Sequence, residues 1–285
     1  MKLSPRIFAL SLAMVALVQP APMLLAGPAP EANIQLGNNQ ALRAKAAQLF
    51  ALGNQARVAH GLKPLQWDPA LATAALSHCV RMAAEGPISH RYADEPDVSE
   101  RAGHAGAHFS LIEENVAVAP DPASIHQVWM NSPHHRENLL SPEVDRVGVA
   151  AVARGNVIYA VADFERTVEV LSREQVETVV KNLLQVSGVS VHPNPVGARL
   201  ACALDHGLPD SLDDLWPEFI VRWQDADLSH LPAPLTDRIV TGKYKEAAVG
   251  SCAPQSADNA FTVYRVAVLL LKPGSSGPRT LVSSR

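Results

Sequence analysis

The chain has 285 residues, with 24 Lys and Arg against 28 Asp and Glu for a net charge of −4. It carries no basic block, which excludes nucleic acid and anionic membrane surfaces as electrostatic partners. The near-balance of charge names no substrate, and the length suffices for two modest domains with real cores.

Lys2 and Arg6 lead into the apolar run Ile7 to Val18, and small residues around Leu24-Leu25-Ala26 precede Gly27. Charged start, apolar core and small-residue cut are the pattern of a secretory signal peptide over residues 1–26. The apolar run falls short of the about 20 residues that a permanent span needs. The expected mature protein is therefore secreted or periplasmic, with no transmembrane span. Residues 27–40, rich in Pro, Ala, Gly and Asn, read as a flexible leader.

From Ala41, the residues Leu42, Ala46, Leu49, Phe50, Gly53 and Ala56 recur at helical spacing until Gly61, with Asn54 and Arg57 near the end of that helix. Trp67 offers a shielded core anchor. Asp68-Pro69 then opens a second helix, with Leu71, Ala75, Cys79, Met82 and Ala83 on its inner face, which Glu85-Gly86 closes. Tyr92 to Ala107 reads as a loop, long enough to be functional or mobile. Asp121-Pro122 starts a helix whose inner face is Ile125, Val128 and Trp129. Ser132-Pro133 starts another short one, with His135 and Arg136 in its first turn and Leu139 and Leu140 holding it down. Val147 to Val152 and Val157 to Phe164 flank Arg154-Gly155-Asn156 as a hairpin.

After a linker at 167–172, Ser172 caps a helix over 173–185 with Val176, Val179, Val180, Leu183 and Leu184 inside. Beyond Pro193 the signals weaken. They allow a helix around Pro217 within 212–223, a strand within 238–249 and a clear strand over 261–271. No internal repeat is visible. Residues 173–272 are expected to form a second, smaller α+β domain, and 273–285 a disordered tail. In an exported chain Cys202 and Cys252 are expected to form a disulfide, closing a loop of about 50 residues worth roughly 4 kcal/mol, while Cys79 stays a buried thiol.

There is no G-x-S-x-G elbow, no H-E-x-x-H helix, no phosphate loop and no CxxC. The chain instead concentrates seven of its eleven histidines between His78 and His135. His104, His108 and His134 read as solvated. His90, Glu114 and His135 each lie at the edge of an element, and two imidazoles with a carboxylate are the ligand set of an open divalent-metal site, such as zinc.

Taken in order, Ile88-Ser89-His90, Glu114-Asn115-Val116-Ala117, Trp129 to Leu140 with its Asn131-Ser132-Pro133-His134-His135-Arg136-Glu137-Asn138, Val147-Gly148-Val149 and Asp163-Phe164 resemble the bacterial branch of the CAP superfamily. This superfamily comprises the cysteine-rich secretory, venom-allergen and plant pathogenesis-related proteins. The resemblance covers residues 41–166. It implies an α+β fold of CAP type, an α-β-α sandwich, with secretion and a cleft lined by two histidines and two glutamates. Position by position, His90 and His135 resemble the two histidines and Glu114 the first glutamate. Ser132 stands where eukaryotic members carry the second, so any divalent metal is expected to bind weakly. The favoured expectation is a secreted protein binding a small apolar or cell-envelope ligand, a lipid or sterol among them, in this cleft. The alternatives are a peptidase-like, metal-assisted hydrolase with Glu114 as general base, and a non-catalytic envelope interaction module.

Overall fold

The computed structural model describes residues 39–271 apart from 211, 213–214 and 255–259. The expected signal peptide, most of the leader and the expected tail lie outside the described residues. Among these residues no helix is long and apolar enough to cross a membrane.

The first half begins with α1 (Asn39–Ala59), a two-residue strand β1 (Gln66–Trp67) and α2 (Pro69–Glu85). Asp68 caps α2, its carboxylate accepting from Ala70 N at 2.8 Å and Leu71 N at 3.0 Å. Next come α3 (Val98–His104), β2 (Phe109–Ala119), α4 (Pro122–Asn131), α5 (Pro133–Leu139), β3 (Arg146–Arg154) and β4 (Val157–Thr167). The strands lie in the order β1-β3-β4-β2, with β1 parallel to β3 and the other pairs antiparallel.

The period of two along each strand divides the core between the faces. Val147, Val149 and Ala151 pack with Ala46, Leu49, Ile125, Trp129 and Leu139 beneath α1, α4 and α5. Ala150 and Val152 pack with Ala75, Cys79 and Met82 of α2 on the other face. The result is an α-β-α sandwich. Gly148 lets α2 lie against the sheet, since a Cβ there would meet Ala72 N at 2.0 Å. Arg57, 2% exposed, fastens α1 to the end of α5 by donating to Lys63 O, Leu139 O and Ser141 O at 2.8–3.0 Å.

Three expectations need correction here. The segment 92–107 contains α3, whose start is a capping box in which Asp97 accepts from Glu100 N and Glu100 from Asp97 N. Trp67 is 40% exposed, because it stands on an edge strand, with Phe50 packed edge-on against its ring at 5.5 Å. Val128 is 43% exposed, since Ile125 and Trp129 share one line down α4 and Val128 lies about 100° away from Trp129.

The second half consists of α6 (Arg173–Val186), β5 (Ser190–Val191), α7 (Val196–Ala203), β6 (Pro217–Asp225), α8 (Ala233–Ile239), β7 (Glu246–Cys252) and β8 (Tyr264–Leu271). Its sheet runs β5-β7-β8-β6, again with a two-residue parallel strand at one edge and antiparallel pairs elsewhere. α6 and α8 cover one face and α7 the other. The close approach recurs too, for a Cβ on Gly250 would meet Ala198 C and Arg199 N at 2.2 Å. The second half therefore repeats the strand order and layering of the first, a repeat that side-chain patterns do not display.

Residues 217–225, expected to be helical, form edge strand β6. Pro217 starts it where no ladder donor is needed, and Phe219, Val221 and Trp223 alternate toward α6 and α8. The segment 238–249, expected to hold one strand, contains the end of α8 and the start of β7. Cys202 and Cys252 are bonded, with Cα atoms 5.8 Å apart, tying α7 to β7. Cys79 is fully buried, and its thiol donates to Tyr159 O. The halves meet where Phe261 packs on Phe109 at 5.1 Å and Thr262 N donates to Phe109 O at 2.8 Å.

Candidate functional site

The site lies along β2, an edge strand of the first sheet. Glu114 pairs across the ladder with Asp163 of β4, and Asp163 with Gly148 of β3. Alternation turns Glu114 to the same face as Val116, which is the α2 side. There His78 of α2 lies with Nε2 3.9 Å from Glu114 Oε2. His78 is fully buried, its Nδ1 2.7 Å from Glu95 Oε1 and its Nε2 2.8 Å from Ser89 O. It thereby pins both ends of the segment that carries His90.

His90 Nδ1 lies 2.7 Å from Glu114 Oε1. Arg101, buried and aimed by α3, donates from Nη2 to Glu114 Oε2 and from Nη1 to Pro96 O at 2.9 Å. The far wall is α5. Asn115 Nδ2 donates to His135 O at 2.8 Å, and Asn138 Nδ2 donates to Asn115 Oδ1 at 3.0 Å and Glu114 O at 3.2 Å. These bonds bring the rings of His90 and His135 to 6.3 Å between centroids. Ser132, between α4 and α5, caps neither with its side chain.

The electrostatics follow from these contacts. Asp163 is wholly buried, and no N–H or O–H of a neighbour reaches either of its oxygens. Burial, and then the negative charge of Glu114, hold its carboxyl well above the usual range. Burial beside a second carboxylate thus favours the neutral form of Asp163. The hydrogen bond to Glu114 raises His90, against burial and Arg101, so its imidazolium persists to higher pH than usual. Burial, reinforced by His90 and His134, lowers His135, whose Nδ1 has no hydrogen-bond partner. The cleft therefore pairs an imidazole biased toward its cation with one biased toward its neutral form.

The three residues singled out in the sequence converge here, but not as a ring of ligands. Glu114 stands behind His90, with its oxygens turned to His90 and Arg101. Among the described residues no group of three or more His, Cys, Asp or Glu side chains could hold a metal ion. The donors present fit a two-nitrogen site in which Glu114 orients one imidazole from behind. His104, His108 and His134 are exposed.

Sequence reading missed Arg101, Asp163, His78 and Glu95 as parts of this network. The Asp97-x-x-Glu100 box announced the helix that aims Arg101, and His78 falls on the inner arc of α2 beside Ala75 and Met82. Nothing local marked Asp163 as partner to Glu114. The second sandwich keeps no such site, for Arg222 and Ala267 occupy the ladder positions that correspond to Glu114 and Asp163 when Gly250 is aligned with Gly148.

This chain is 29% identical over 111 residues to YkwD of Bacillus subtilis (strain 168), a protein described as uncharacterized, covering 39% of this chain and 43% of YkwD. It is 32% identical over 104 residues to the uncharacterized membrane protein YlbC of the same organism, covering 36% of this chain and 30% of YlbC. The chain thus spans less than half the length of either relative. Among solved structures, an extracellular protein with an SCP domain from Bacillus anthracis strain Ames is 28% identical, with a TM-score of 0.42, covering 50% of this chain and 45% of that one. Residues 50–164, which include His90, Glu114 and His135, match the sequence profile of the cysteine-rich secretory protein family, and this segment of the chain belongs to that family, CAP.

Proposed function

We propose that this is an exported binding protein whose CAP segment holds a polar group of a cell-envelope component, such as a lipid or sterol head, between His90 and His135 without hydrolysing it. The observation that carries this reading is the full engagement of Glu114. A general base needs a free lone pair facing a water, and the Glu114 oxygens are turned to His90 and to Arg101. Breaking the contact with Arg101 separates two buried charges, which costs several kcal/mol. His90, biased toward its cation, suits a donor and His135, biased toward its neutral form, an acceptor, a pair fitted to a hydroxyl, phosphoryl or carboxyl group. Export is supported by the signal pattern and by the Cys202–Cys252 bond, which persists in oxidising compartments.

A divalent cation such as zinc binds the same two imidazoles weakly in this reading. Only two nitrogens are available, and the proton that Glu114 favours on His90 competes with it. The test is calorimetry with zinc on wild type, His90→Ala and His135→Ala, beside a peptide and ester screen on wild type and Glu114→Gln. The expected result is weak binding, lost in each histidine variant and weakened as pH falls through the imidazole range near about 6.5, with no turnover. Unchanged zinc affinity in both histidine variants removes the cleft. Metal-dependent turnover that disappears in Glu114→Gln makes the protein a hydrolase.

A further inference from the structure

Residues 86–97, between α2 and α3, form no helix or strand, yet they bring His90 to within 2.7 Å of Glu114. The chain there is folded back on a single side chain. His78 of α2 meets Ser89 O through Nε2 at 2.8 Å and Glu95 Oε1 through Nδ1 at 2.7 Å, so the chain from Ser89 to Glu95 leaves its ring and returns to it. Ser89 O can only accept, so Nε2 bears the proton of that bond. Within the loop, Glu95 Oε2 accepts from Tyr92 N at 3.2 Å, Glu95 O from Arg91 Nε at 2.8 Å, and Pro87 O from the Tyr92 hydroxyl at 2.5 Å. Arg101 Nη1 fastens the far end by donating to Pro96 O at 2.9 Å.

His78 is 0% exposed and lies on the arc of α2 that also buries Ala74, Ala75 and Met82. An apolar side chain would fill that space without the cost of taking two ring nitrogens out of water. Both of the bonds that offset this cost go to the loop. The two nitrogens diverge, so one imidazole spans both ends of the loop, and Glu95 gives one oxygen to His78 and the other to the backbone of Tyr92. The His90 side chain, in contrast, is 59% exposed, and Glu114 is its hydrogen-bond partner. The direction of its ring is therefore set by Glu114 on one side and by the course of the loop on the other.

We propose that His78 and Glu95 are positioning residues of the cleft, holding the loop from Ser89 to Glu95 in the course that sets the His90 ring between Glu114 and His135. Both are buried, so they act on a ligand through His90 and not by touching it. His135 is placed separately, by Asn115 and Asn138, so the 6.3 Å between the two rings depends on the clamp at its other end. Removing an outer residue of this kind lowers metal affinity by about 10–100-fold. The effect on binding rests on the reading of the cleft proposed above, whereas the placement of His90 does not.

Two measurements on the full chain test this, the NMR cross peak between the ring protons of His90 and His135, and zinc calorimetry. The variants are Glu95→Ala, which removes the clamp; Glu95→Gln, which keeps an oxygen for His78; and Val152→Ala, which opens the core under α2 without touching the loop. Glu95→Ala is expected to lose the cross peak and to bind zinc about tenfold or more weakly, while Glu95→Gln and Val152→Ala keep the peak and stay within about threefold of wild type. Glu95→Ala with the peak intact overturns the proposal. So does loss of the peak in Val152→Ala, which would make the effect one of general stability, or in Glu95→Gln, which would assign it to the lost charge and not to the bond. Zinc affinity unchanged in His90→Ala removes the cleft as the zinc site, and the ring contact then still decides whether His78 and Glu95 place His90.

Discussion

Gly148→Ala tests the contact on which the geometry of the cleft depends. The added Cβ would lie 2.0 Å from Ala72 N, 2.2 Å from Leu71 C and 2.5 Å from Leu71 Cβ, where ordinary contact begins at 3.4 Å. Two of these three atoms are helix backbone, so no rotamer relieves the clash and α2 must lift from β3 by well over an ångström. That separates Leu71, Ala75, Cys79 and Met82, all 0% exposed, from the sheet, and moves His78 away from Glu114. Overpacking that side chains absorb costs about 1–3 kcal/mol. With backbone as the obstacle the expected loss is about 4 kcal/mol, a large share of the roughly 5–15 kcal/mol that holds a domain folded. At about 2–4 °C per kcal/mol the melting temperature should fall by on the order of 10 °C. Calorimetry gives this number, and fluorescence of buried Trp129 assigns it to the first half. Gly155→Ala, at a turn with φ of 59° and nothing within 4 Å, is the control and should cost only about 1 kcal/mol. Gly148→Ala within 1 kcal/mol of wild type would refute the close packing of α2 on β3, and with it the route by which the fold brings His78 to Glu114.

Further outcomes are expected. Mass mapping without reduction should recover a Cys202–Cys252 peptide, and reduction should cost roughly 4 kcal/mol for a loop of this size. Cys79 should resist alkylation until the protein unfolds, because burial pushes its thiol up; rapid native labelling would contradict its place under α2. Burial raises Glu165, 1% exposed, to about 7, opposed by the hydrogen bond from Thr167. The native state therefore keeps this proton to higher pH than the unfolded chain does. The stability it contributes below about pH 4.5 should be lost as pH rises through about 7, by up to about 3 kcal/mol. Glu165→Gln should flatten that slope in urea titrations, and superimposable profiles would dismiss it. Glu114→Gln should return the His90 titration, followed by NMR, toward that of an ordinary imidazole, since the hydrogen bond to Glu114 is the largest influence raising it; an unmoved His90 would show that the two are not in contact in solution.

The sequence by itself determined the local events. Asp68-Pro69, Asp121-Pro122 and Ser132-Pro133 start helices, Arg154-Gly155-Asn156 turns a hairpin, and Ser172 with Gln175 caps α6. These signals act within a turn or two of chain, so they survive without knowledge of what packs on them. The spaced motifs from His90 to Phe164 likewise identified the residues of the cleft. Signals also went unread: Asp97-x-x-Glu100 marks α3 as plainly as the other caps, and Phe219, Val221 and Trp223 alternate.

Tertiary structure decided the rest. β1 and β5 have two residues each, too few for any periodicity, and exist only because β3 and β7 offer an edge. The repeat of the two sandwiches lies in strand order and in the close approach at Gly148 and Gly250, and backbone geometry of that kind can be met by many side-chain patterns. The surroundings of Glu114 were decided in the same way. Its position was legible, but its neighbours were not, because Arg101 and Asp163 reach it from a different helix and a different strand. Local sequence chose which elements form; their pairing chose which charges meet, an arginine and an imidazole at the Glu114 carboxylate among them.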